Sequence, residues 1–123
     1  MTTPLILVLV AVAFSVTGEI FLKEGMNRVG VLALGSLPSQ IPLMLRTWPL
    51  YAGFGSIAVG AIFWLGAISR AELSWAYPLL ATGYILMLVF SALVLGEHIT
   101  PTRWIGTALI VLGVILVCGS WRR

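Results

Sequence analysis

Ser15, Glu19 and Lys23 recur every four residues in a largely apolar segment, so a helix would place all three on one face. In an apolar setting, a carboxylate such as Glu19 is suited to binding or exchanging a proton or a cationic group. The ammonium of Lys23 is suited to attracting an anionic group, and Glu four residues before Lys is also the favourable order for an ion pair within a helix. These three residues are therefore the first candidates for a polar binding face.

A second set of polar side chains begins at Ala-Tyr-Pro. Tyr77 and Tyr84 are two helical turns apart on one face, and Ser91 lies two turns further along, which predicts a polar stripe. Tyr84 is deep in its apolar segment, where a phenol needs a hydrogen-bond partner, so it is the stronger candidate for lining a cavity. Tyr77 is either a second lining residue or an anchor at a membrane surface. Trp64 is a weaker candidate, because a tryptophan so placed more often belongs to the core.

The connection that follows contains Glu97, His98 and Arg103. Glu97 and Arg103 are candidates for binding a substrate, although a solvated turn also explains them, and His98 fits a solvated turn better. Thr100 and Pro101 match a helix N-cap followed by proline at the first helical position.

The chain has no arrangement typical of an enzyme. It contains no metal-ligand spacing, no Ser/His/Asp set, no glycine-rich phosphate loop and no Asp. The single Cys118 lies in an apolar segment and carries no information about redox compartment. The basic residues are scattered except for Arg122 and Arg123, so we expect no nucleic-acid partner and place that pair among lipid headgroups. We predict neither enzyme activity nor a cofactor.

Composition places all these residues in a membrane protein. The 123 residues are 60% hydrophobic and only 9% charged, whereas a soluble domain carries about a quarter charged residues. Mean hydropathy is +1.10. Four apolar segments have the length of about 20 residues that a bilayer requires. These predicted spans are residues 4–23, 50–69, 75–96 and 104–121.

We therefore predict an all-α fold, a single four-helix transmembrane domain over residues 1–123. The segment before Glu19 has no basic n-region and no evident cleavage site, so we expect a retained helix rather than a signal peptide. The second and third connections are short, which forces neighbouring helices to be antiparallel. The first, residues 24–49, contains three Gly and three Pro, and we predict an interfacial segment that lies on the membrane.

The predicted spans give Glu19 two interpretations. In one, it lies one turn, about 6 Å, from the end of its span, and its carboxylate reaches the headgroups. In the other, it faces a polar cavity, because ionisable groups at membrane depth line pathways rather than contact lipid. The second interpretation is favoured.

The distribution of basic residues does not fix the orientation in the membrane. The N-terminal side would carry three, which are Arg70, Arg122 and Arg123. The opposite side would carry four, which are Lys23, Arg28, Arg46 and Arg103. This bias is weak, so dual insertion with antiparallel dimers and orientation by a partner subunit both stay open.

Small residues repeat at seven-residue intervals in two spans. Gly53, Gly60 and Ala67 lie in the second, and Gly106 and Gly113 lie in the fourth. Small residues let helices approach closely in a membrane. We assign the stripe in the fourth span to a dimer interface, with packing inside the chain as the alternative, because four helices enclose too little volume for a substrate path.

The sequence resembles the drug/metabolite transporter superfamily in its four-helix form, which includes small multidrug resistance-like and EamA-type proteins. The resemblance covers well over half of the chain. The likeness rests on SVTGEIFLK in the first span, on AYPLL, and on LVLGEHITPTRWIGTALIVLGVILVCG. The motifs are individually modest, and their order and spacing are more specific. The resemblance implies a multi-pass transporter of the bacterial inner membrane, working as a homodimer or as a heterodimer with a similar subunit.

One subgroup, the small multidrug resistance proteins, exchanges protons for cationic drugs through a glutamate in the first span. Aligning Gly18 and Lys23 with that subgroup places its glutamate at Ser15, one turn before Glu19. Tyr77 matches a substrate-contacting tyrosine, but Leu80 stands where the subgroup has a tryptophan that stacks on drugs. These departures count against drug export.

The closer likeness is to the small subunits that flip undecaprenyl-phosphate-linked aminoarabinose. Those subunits share Gly and Lys at matching spacing in the first span, with Gln where Glu19 stands, and they share Ala-Tyr-Pro. They also have counterparts of Glu97, Pro101 and Trp104. This likeness implies a lipid-linked sugar whose phosphate suits Lys23 or Arg103.

Three functions are therefore considered. The favoured one is translocation of a polyprenyl-phosphate-linked sugar by alternating access, with Glu19 as the proton carrier. The second is proton-coupled export of cationic drugs or metabolites, and the third is an accessory subunit that transports nothing alone. Substrate identity, coupling ion and orientation are left open by the sequence.

Overall fold

The computed structural model describes residues 2–120, and within that range it contains helices and no strand. The α-helices are α1 (Thr2–Val29), α2 (Leu37–Arg46), α3 (Trp48–Ile68), α4 (Leu73–Leu79), α5 (Gly83–Leu93) and α6 (Pro101–Gly119). Two 3₁₀ turns, Leu34–Ser36 and Leu80–Thr82, precede α2 and join α4 to α5. Arg122 and Arg123, which we expected among the headgroups, lie outside the described residues.

Within residues 2–120, four helical stretches are long and apolar enough to cross a membrane. They are α1, α3, the stretch Leu73–Leu93 that combines α4 and α5, and α6. This confirms the prediction of an all-α membrane protein with four spans. Two helices extend beyond the predicted apolar spans: α1 continues past residue 23 to Val29, and α6 begins at Pro101, before residue 104, with Thr100 at the N-cap position as the Thr100–Pro101 pattern predicts. The spans were predicted from runs of apolar residues, so polar residues at the end of a helix were not included in them. This explains both differences.

The glycines of α3 pack against α1. A Cβ added to Gly18 would lie 2.6 Å from the carbonyl oxygen of Gly53, and one added to Gly60 would lie 3.0 Å from that of Ala11. Residue numbers rise along one helix as they fall along the other, so α1 and α3 are antiparallel, as the sequence predicts. We call this contact the α1–α3 seam. Its backbones approach each other because glycine leaves no side chain between them.

The third span is broken where its proline lies. Pro78 has no N–H to continue the helical hydrogen-bond ladder, α4 ends at Leu79, and the 3₁₀ turn leads into α5 at Gly83. The backbone of Gly83 lies against α1, where an added Cβ would be 3.2 Å from Val12 and 3.4 Å from Val16. The break thus brings a small residue, rather than a bulky one, onto α1.

The hydrophobic core joins α1, α3, α4 and α6. Its buried members are Val8, Val12, Val16, Ala67, Trp75, Ala76, Leu79 and Val114. Residues of α6 other than Thr107 and Val114 are less completely buried, so the fourth span lies at the edge of the bundle.

The first connection is partly helical. We expected its prolines to interrupt regular structure, yet Pro38 lies in the first turn of α2 and Pro42 lies inside that helix. The side chain of Gln40 ties the preceding loop to α2 by donating from Nε2 to the carbonyl oxygen of Val31 at 2.7 Å. Ile41 and Leu45 remain exposed on α2. Its placement on a membrane surface stays a prediction.

Candidate functional site

A cleft of about 480 Å³ lies between α1 and the third span. Spans one and three are parallel here, because Val12 and Val16 of α1 lie beside Gly83 and Lys23 lies beside Glu97. We call this the α1–α5 cleft, and it is lined by Val12, Ser15, Val16, Glu19, Tyr77, Leu80, Ala81, Gly83, Tyr84 and Met87. Four of the predicted binding residues, Ser15, Glu19, Tyr77 and Tyr84, therefore share one cavity.

Glu19 lies beside the middle part of α3. The adjacent residue, Gly18, packs against Gly53 and Ile57, in the middle part of α3, and α1 continues to Val29. α1 therefore continues ten residues beyond Glu19, and the exposed Glu19 borders the cleft, as the cavity interpretation expects. The depth of its carboxylate in the membrane stays a prediction.

The two tyrosines give the opposite wall of the cleft its polar groups. The side chains of Tyr77 and Tyr84 are 62% and 58% exposed, so both hydroxyls are accessible to a ligand. Trp64 does not line the cleft, but its ring meets that of Tyr77 edge to face, with centroids 5.9 Å apart. Trp64 therefore contributes to the cleft indirectly, by packing against the ring of Tyr77.

The predicted polar stripe does not extend to Ser91. Tyr77 and Tyr84 lie in the cleft, whereas Ser91 is buried at 7% exposure and is not part of the lining. Tyr84 and Ser91 lie in the same uninterrupted helix α5, and Ser91 is beyond Met87, the last residue of α5 that lines the cleft. The stripe prediction was therefore correct for two of its three residues.

Lys23 pairs across the bundle. Its Nζ lies 4.0 Å from Oε1 of Glu97, and no ion pair with Glu19 occurs within residues 2–120. The favourable Glu-Lys order along α1 is thus not used for an intrahelical pair. The Lys23–Glu97 pair lies one helical turn beyond Glu19, at the end of the cleft that faces the third connection.

Backbone geometry brings Glu97 to this position. Gly96 has a φ of +66°, a conformation that residues with a Cβ rarely adopt. The N–H of Glu97 donates to the carbonyl oxygen of Ser91 at 3.1 Å. This is the pattern that ends a helix at glycine and caps its last carbonyls. The Gly-Glu pair therefore both ends the third span and aims a carboxylate toward α1.

Arg103 and His98 are outside the cleft. Arg103 lies exposed in the first turn of α6, and His98 is exposed in the connection. Nearby, Glu24 and Arg28 form an ion pair at 3.7 Å, and Arg28 lies over the ring of Trp48 at 5.9 Å. This end of the bundle is therefore charged, and Lys23 and Glu97, like Arg103 and His98, are not among the residues that line the cleft.

The sequence analysis missed the apolar half of the lining. Val12, Val16, Leu80, Ala81 and Met87 are ordinary apolar span residues, and only their position around the same cleft as Glu19 gives them a role. The sequence did offer one signal, the small residues Ala81 and Gly83 shortly after Pro78. Small residues at a helix break indicate that another helix approaches closely there or that a space is left open.

Gly106 and Gly113 lie on an open face of α6. A Cβ added to either glycine would meet nothing within 4 Å. Around them Ile105, Leu109 and Leu116 are exposed. The alternative that these glycines pack inside the chain is therefore wrong, and the dimer interface stays a prediction.

The fold and the cleft are those of a small membrane transporter, and the chain belongs to the EamA-like transporter family. The model of that family matches residues 2–119. The family places the chain among multi-pass membrane transporters rather than enzymes.

Curated relatives are more specific. The chain is 29% identical over 113 residues to a protein of Pseudomonas fluorescens, covering 92% of this chain and 95% of the relative. That protein is described as a probable 4-amino-4-deoxy-L-arabinose-phosphoundecaprenol flippase subunit. Proteins of the same description from Aeromonas hydrophila and Yersinia pseudotuberculosis are 35% identical over 75 and 66 residues. These cover 61% and 54% of this chain, and 66% and 56% of the relatives. No solved structure matches the chain.

Proposed function

We propose that this protein translocates a polyprenyl-phosphate-linked sugar of the aminoarabinose type across the bacterial inner membrane by alternating access. The observation that carries the proposal is the α1–α5 cleft, which is lined by Glu19, Ser15 and two tyrosines of the predicted spans. The descriptions of the relatives supply the substrate class.

The cleft suits such a substrate chemically. Hydroxyls of Ser15, Tyr77 and Tyr84 match the hydrogen-bonding groups of a sugar, and Lys23 at the mouth matches a phosphate. The polar headgroup crosses along the cleft while the isoprenoid chain stays among lipids. The sequence lacks a phosphate loop for ATP, so an ion gradient drives movement, with Glu19 as the proton carrier.

A second four-helix subunit completes the site in this proposal. Tyr77 and Tyr84 are more than half exposed in the single chain, and one subunit leaves the cleft open. The open Gly106 and Gly113 face of α6 is the proposed contact, in either a homodimer or a heterodimer.

The test of this function is transport by the purified protein in vesicles. Glu19→Gln is expected to remove the stimulation of aminoarabinose polyprenyl phosphate flipping by a proton gradient, because it removes the titratable carboxylate and keeps the polar side chain that the resembled subunits have there, while membrane expression is unchanged. Glu24→Gln is the matched control, since it removes the same charge from α1 outside the cleft lining. Undiminished stimulation by the gradient in Glu19→Gln would contradict the role of Glu19.

Export of cationic drugs or metabolites is a second candidate. It is favoured by one observation, a carboxylate facing two aromatic side chains in the same cleft, because aromatic faces and carboxylates both bind cations. Binding of a quaternary ammonium dye that protons displace, together with no binding of the lipid, would select this function instead.

A further inference from the structure

We propose that a corner of the bundle outside the α1–α5 cleft binds the phosphate of an anionic phospholipid of the surrounding bilayer. This arginine corner consists of Arg28 of α1, Arg46 of α2 and Trp48 of α3. None of these three residues lines the cleft, so the inference is independent of the proposed function. The ligand is a bilayer lipid that stays on the protein, not the transported molecule.

The aromatic ring of the corner positions one of its arginines. The ring of Trp48 lies 5.9 Å from Cζ of Arg28, centroid to atom, and 6.1 Å from the ring of Phe21, centroid to centroid. A guanidinium over an aromatic face is held by a cation–π attraction, and it keeps N–H groups along its edge for an acceptor. The side chain of Trp48 is 59% exposed, so this part of the corner is open to a ligand.

The link between α2 and α3 holds Arg46 close to the same ring. That link is the single residue Thr47, which is buried. Its N–H donates to the carbonyl oxygen of Met44 at 3.1 Å, and its own carbonyl oxygen accepts from the N–H of Leu50 at 3.2 Å. Two residues of chain span at most about 7 Å, which limits the distance from the Cα of Arg46 to that of Trp48. The two arginines therefore flank one tryptophan.

The charge of the corner favours an anion. One carboxylate also lies here, because Oε1 of Glu24 is 3.7 Å from Nε of Arg28. This distance is longer than a good hydrogen bond, and both side chains are about half exposed. Two arginines and one loosely paired glutamate leave a formal charge of +1. A guanidinium binds phosphate through two parallel N–H···O bonds, which makes phosphate the anion that suits this corner.

Helix length places the corner at the level of lipid phosphates. Residues 4–22 of α1 rise about 28 Å, which matches a hydrocarbon core of about 30 Å. Arg28 is six residues further along α1, a rise of about 9 Å, which reaches the headgroup layer. Trp48 is the first residue of α3, a candidate span, and tryptophans concentrate at the membrane surface.

The apolar face of α2 indicates that the phosphate belongs to a lipid. Ile41 and Leu45 are four residues apart, so they share a face, and both are exposed. Arg46 is five residues after Ile41, which turns it about 140° away at 3.6 residues per turn. An apolar face with a basic residue on the other side is typical of a helix that lies in the membrane surface. Acyl chains then contact Ile41 and Leu45 while the phosphate contacts the arginines.

The test compares phosphatidylglycerol and phosphatidylcholine with the same acyl chains. Each is titrated onto the detergent-purified full chain, and bound lipids are counted by native mass spectrometry. Both lipids carry a phosphate, but the choline group of the second neutralises its charge. We expect wild type to bind phosphatidylglycerol roughly tenfold more tightly, from hydrogen bonds between charged groups at the two arginines. Equal affinity for the two lipids would overturn the proposal.

Variants locate this preference on the protein. Arg28→Gln and Arg46→Gln are each expected to reduce the affinity for phosphatidylglycerol by about threefold to tenfold and to leave that for phosphatidylcholine unchanged. Arg70→Gln is the matched control, because it removes the same charge at the opposite end of the bundle, where Arg70 donates to the carbonyl oxygen of Gly66 at 2.8 Å. We expect it to keep the preference. Equal losses in all three variants would show that net charge, rather than the corner, attracts the lipid.

Two competitors test the identity of the ligand. Neither inorganic phosphate nor a polyprenyl phosphate at equal concentration is expected to displace phosphatidylglycerol. Displacement by inorganic phosphate would show that the acyl chains contribute nothing, and displacement by the polyprenyl phosphate would assign the corner to the transported class of lipid. Either result overturns the proposal. If Arg28→Gln does not fold, Arg46→Gln provides the measurement, since Arg46 is exposed in the last turn of α2.

Discussion

The two faces of α1 differ in how closely they are packed. On one face, Gly18 and Ala11 meet the backbone of α3, and an added Cβ at Gly18 would lie 2.6 Å from a carbonyl oxygen. On the other, Ser15 and Glu19 border a cleft of about 480 Å³. The α1–α3 seam has no room for movement, whereas the α1–α5 cleft does. Close packing therefore fixes one face of α1, and the other face leaves space for a ligand.

The fourth span extends this contrast. Gly60 of α3 and Gly113 of α6 are both small residues in a seven-residue repeat, yet one is buried against α1 and the other faces open space. The same sequence signal therefore supports two different contacts. In α3 it forms the seam, and in α6 it leaves a surface for a second subunit.

The largest expected effect comes from breaking the seam. Gly53→Ala places a Cβ 2.7 Å from the carbonyl oxygen of Gly18, so the two backbones must separate, which we expect to destabilise the protein by about 2 kcal/mol or more. Thermal unfolding in detergent measures the loss.

The control lies in the same helix. Gly55→Ala meets nothing within 4 Å and replaces glycine with a better helix former, so it should be neutral or stabilising by up to about 1 kcal/mol. Equal destabilisation by both substitutions would show that the seam is not tighter than the rest of α3.

A smaller effect is expected at the open face of α6. Gly113→Leu should weaken dimerisation roughly tenfold or more, because the added side chain prevents close approach of a second subunit. The mass of the purified protein, measured over a range of concentrations, should shift toward the monomer. Gly55→Leu, on an open position of α3, serves as the control, and an unchanged mass for Gly113→Leu would remove α6 from the interface.

The smallest effect tests the polar wall of the cleft. Tyr84→Phe removes one hydroxyl and keeps the ring, so affinity for an aminoarabinose polyprenyl phosphate should fall by about threefold to tenfold. Tyr51→Phe is the matched control, since the hydroxyl of Tyr51 donates to the carbonyl oxygen of Leu45, outside the cleft. If both variants bind equally well, the tyrosine hydroxyl does not contact the headgroup.

Much of this arrangement could be predicted from local sequence. The four spans follow from runs of apolar residues, and the break at Pro78 follows from a missing N–H. The grouping of Ser15 and Glu19 follows from helical periodicity. The exclusion of Ser91 from the cleft could not be predicted that way, because helical spacing gives the face on which a residue lies but not how far along α5 the cleft extends.

Contacts between distant parts of the chain were beyond local reasoning. The sequence suggests Glu19 as the partner of Lys23, yet the structure pairs Lys23 with Glu97. Helical spacing shows which residues share a face, but not which neighbouring element that face meets.

The sequence by itself determined the membrane class, the number of spans, the helical face that carries Glu19 and the glycines that allow close packing. These features depend on composition and on the periodicity of residues within one helix. The tertiary structure alone decided that Gly53 faces α1 while Gly113 faces open space, that Tyr77 and Tyr84 lie opposite Glu19, and that Glu97 reaches Lys23. The physical reason is that each depends on how helices pack, a choice made by the whole set of contacts rather than by any one segment.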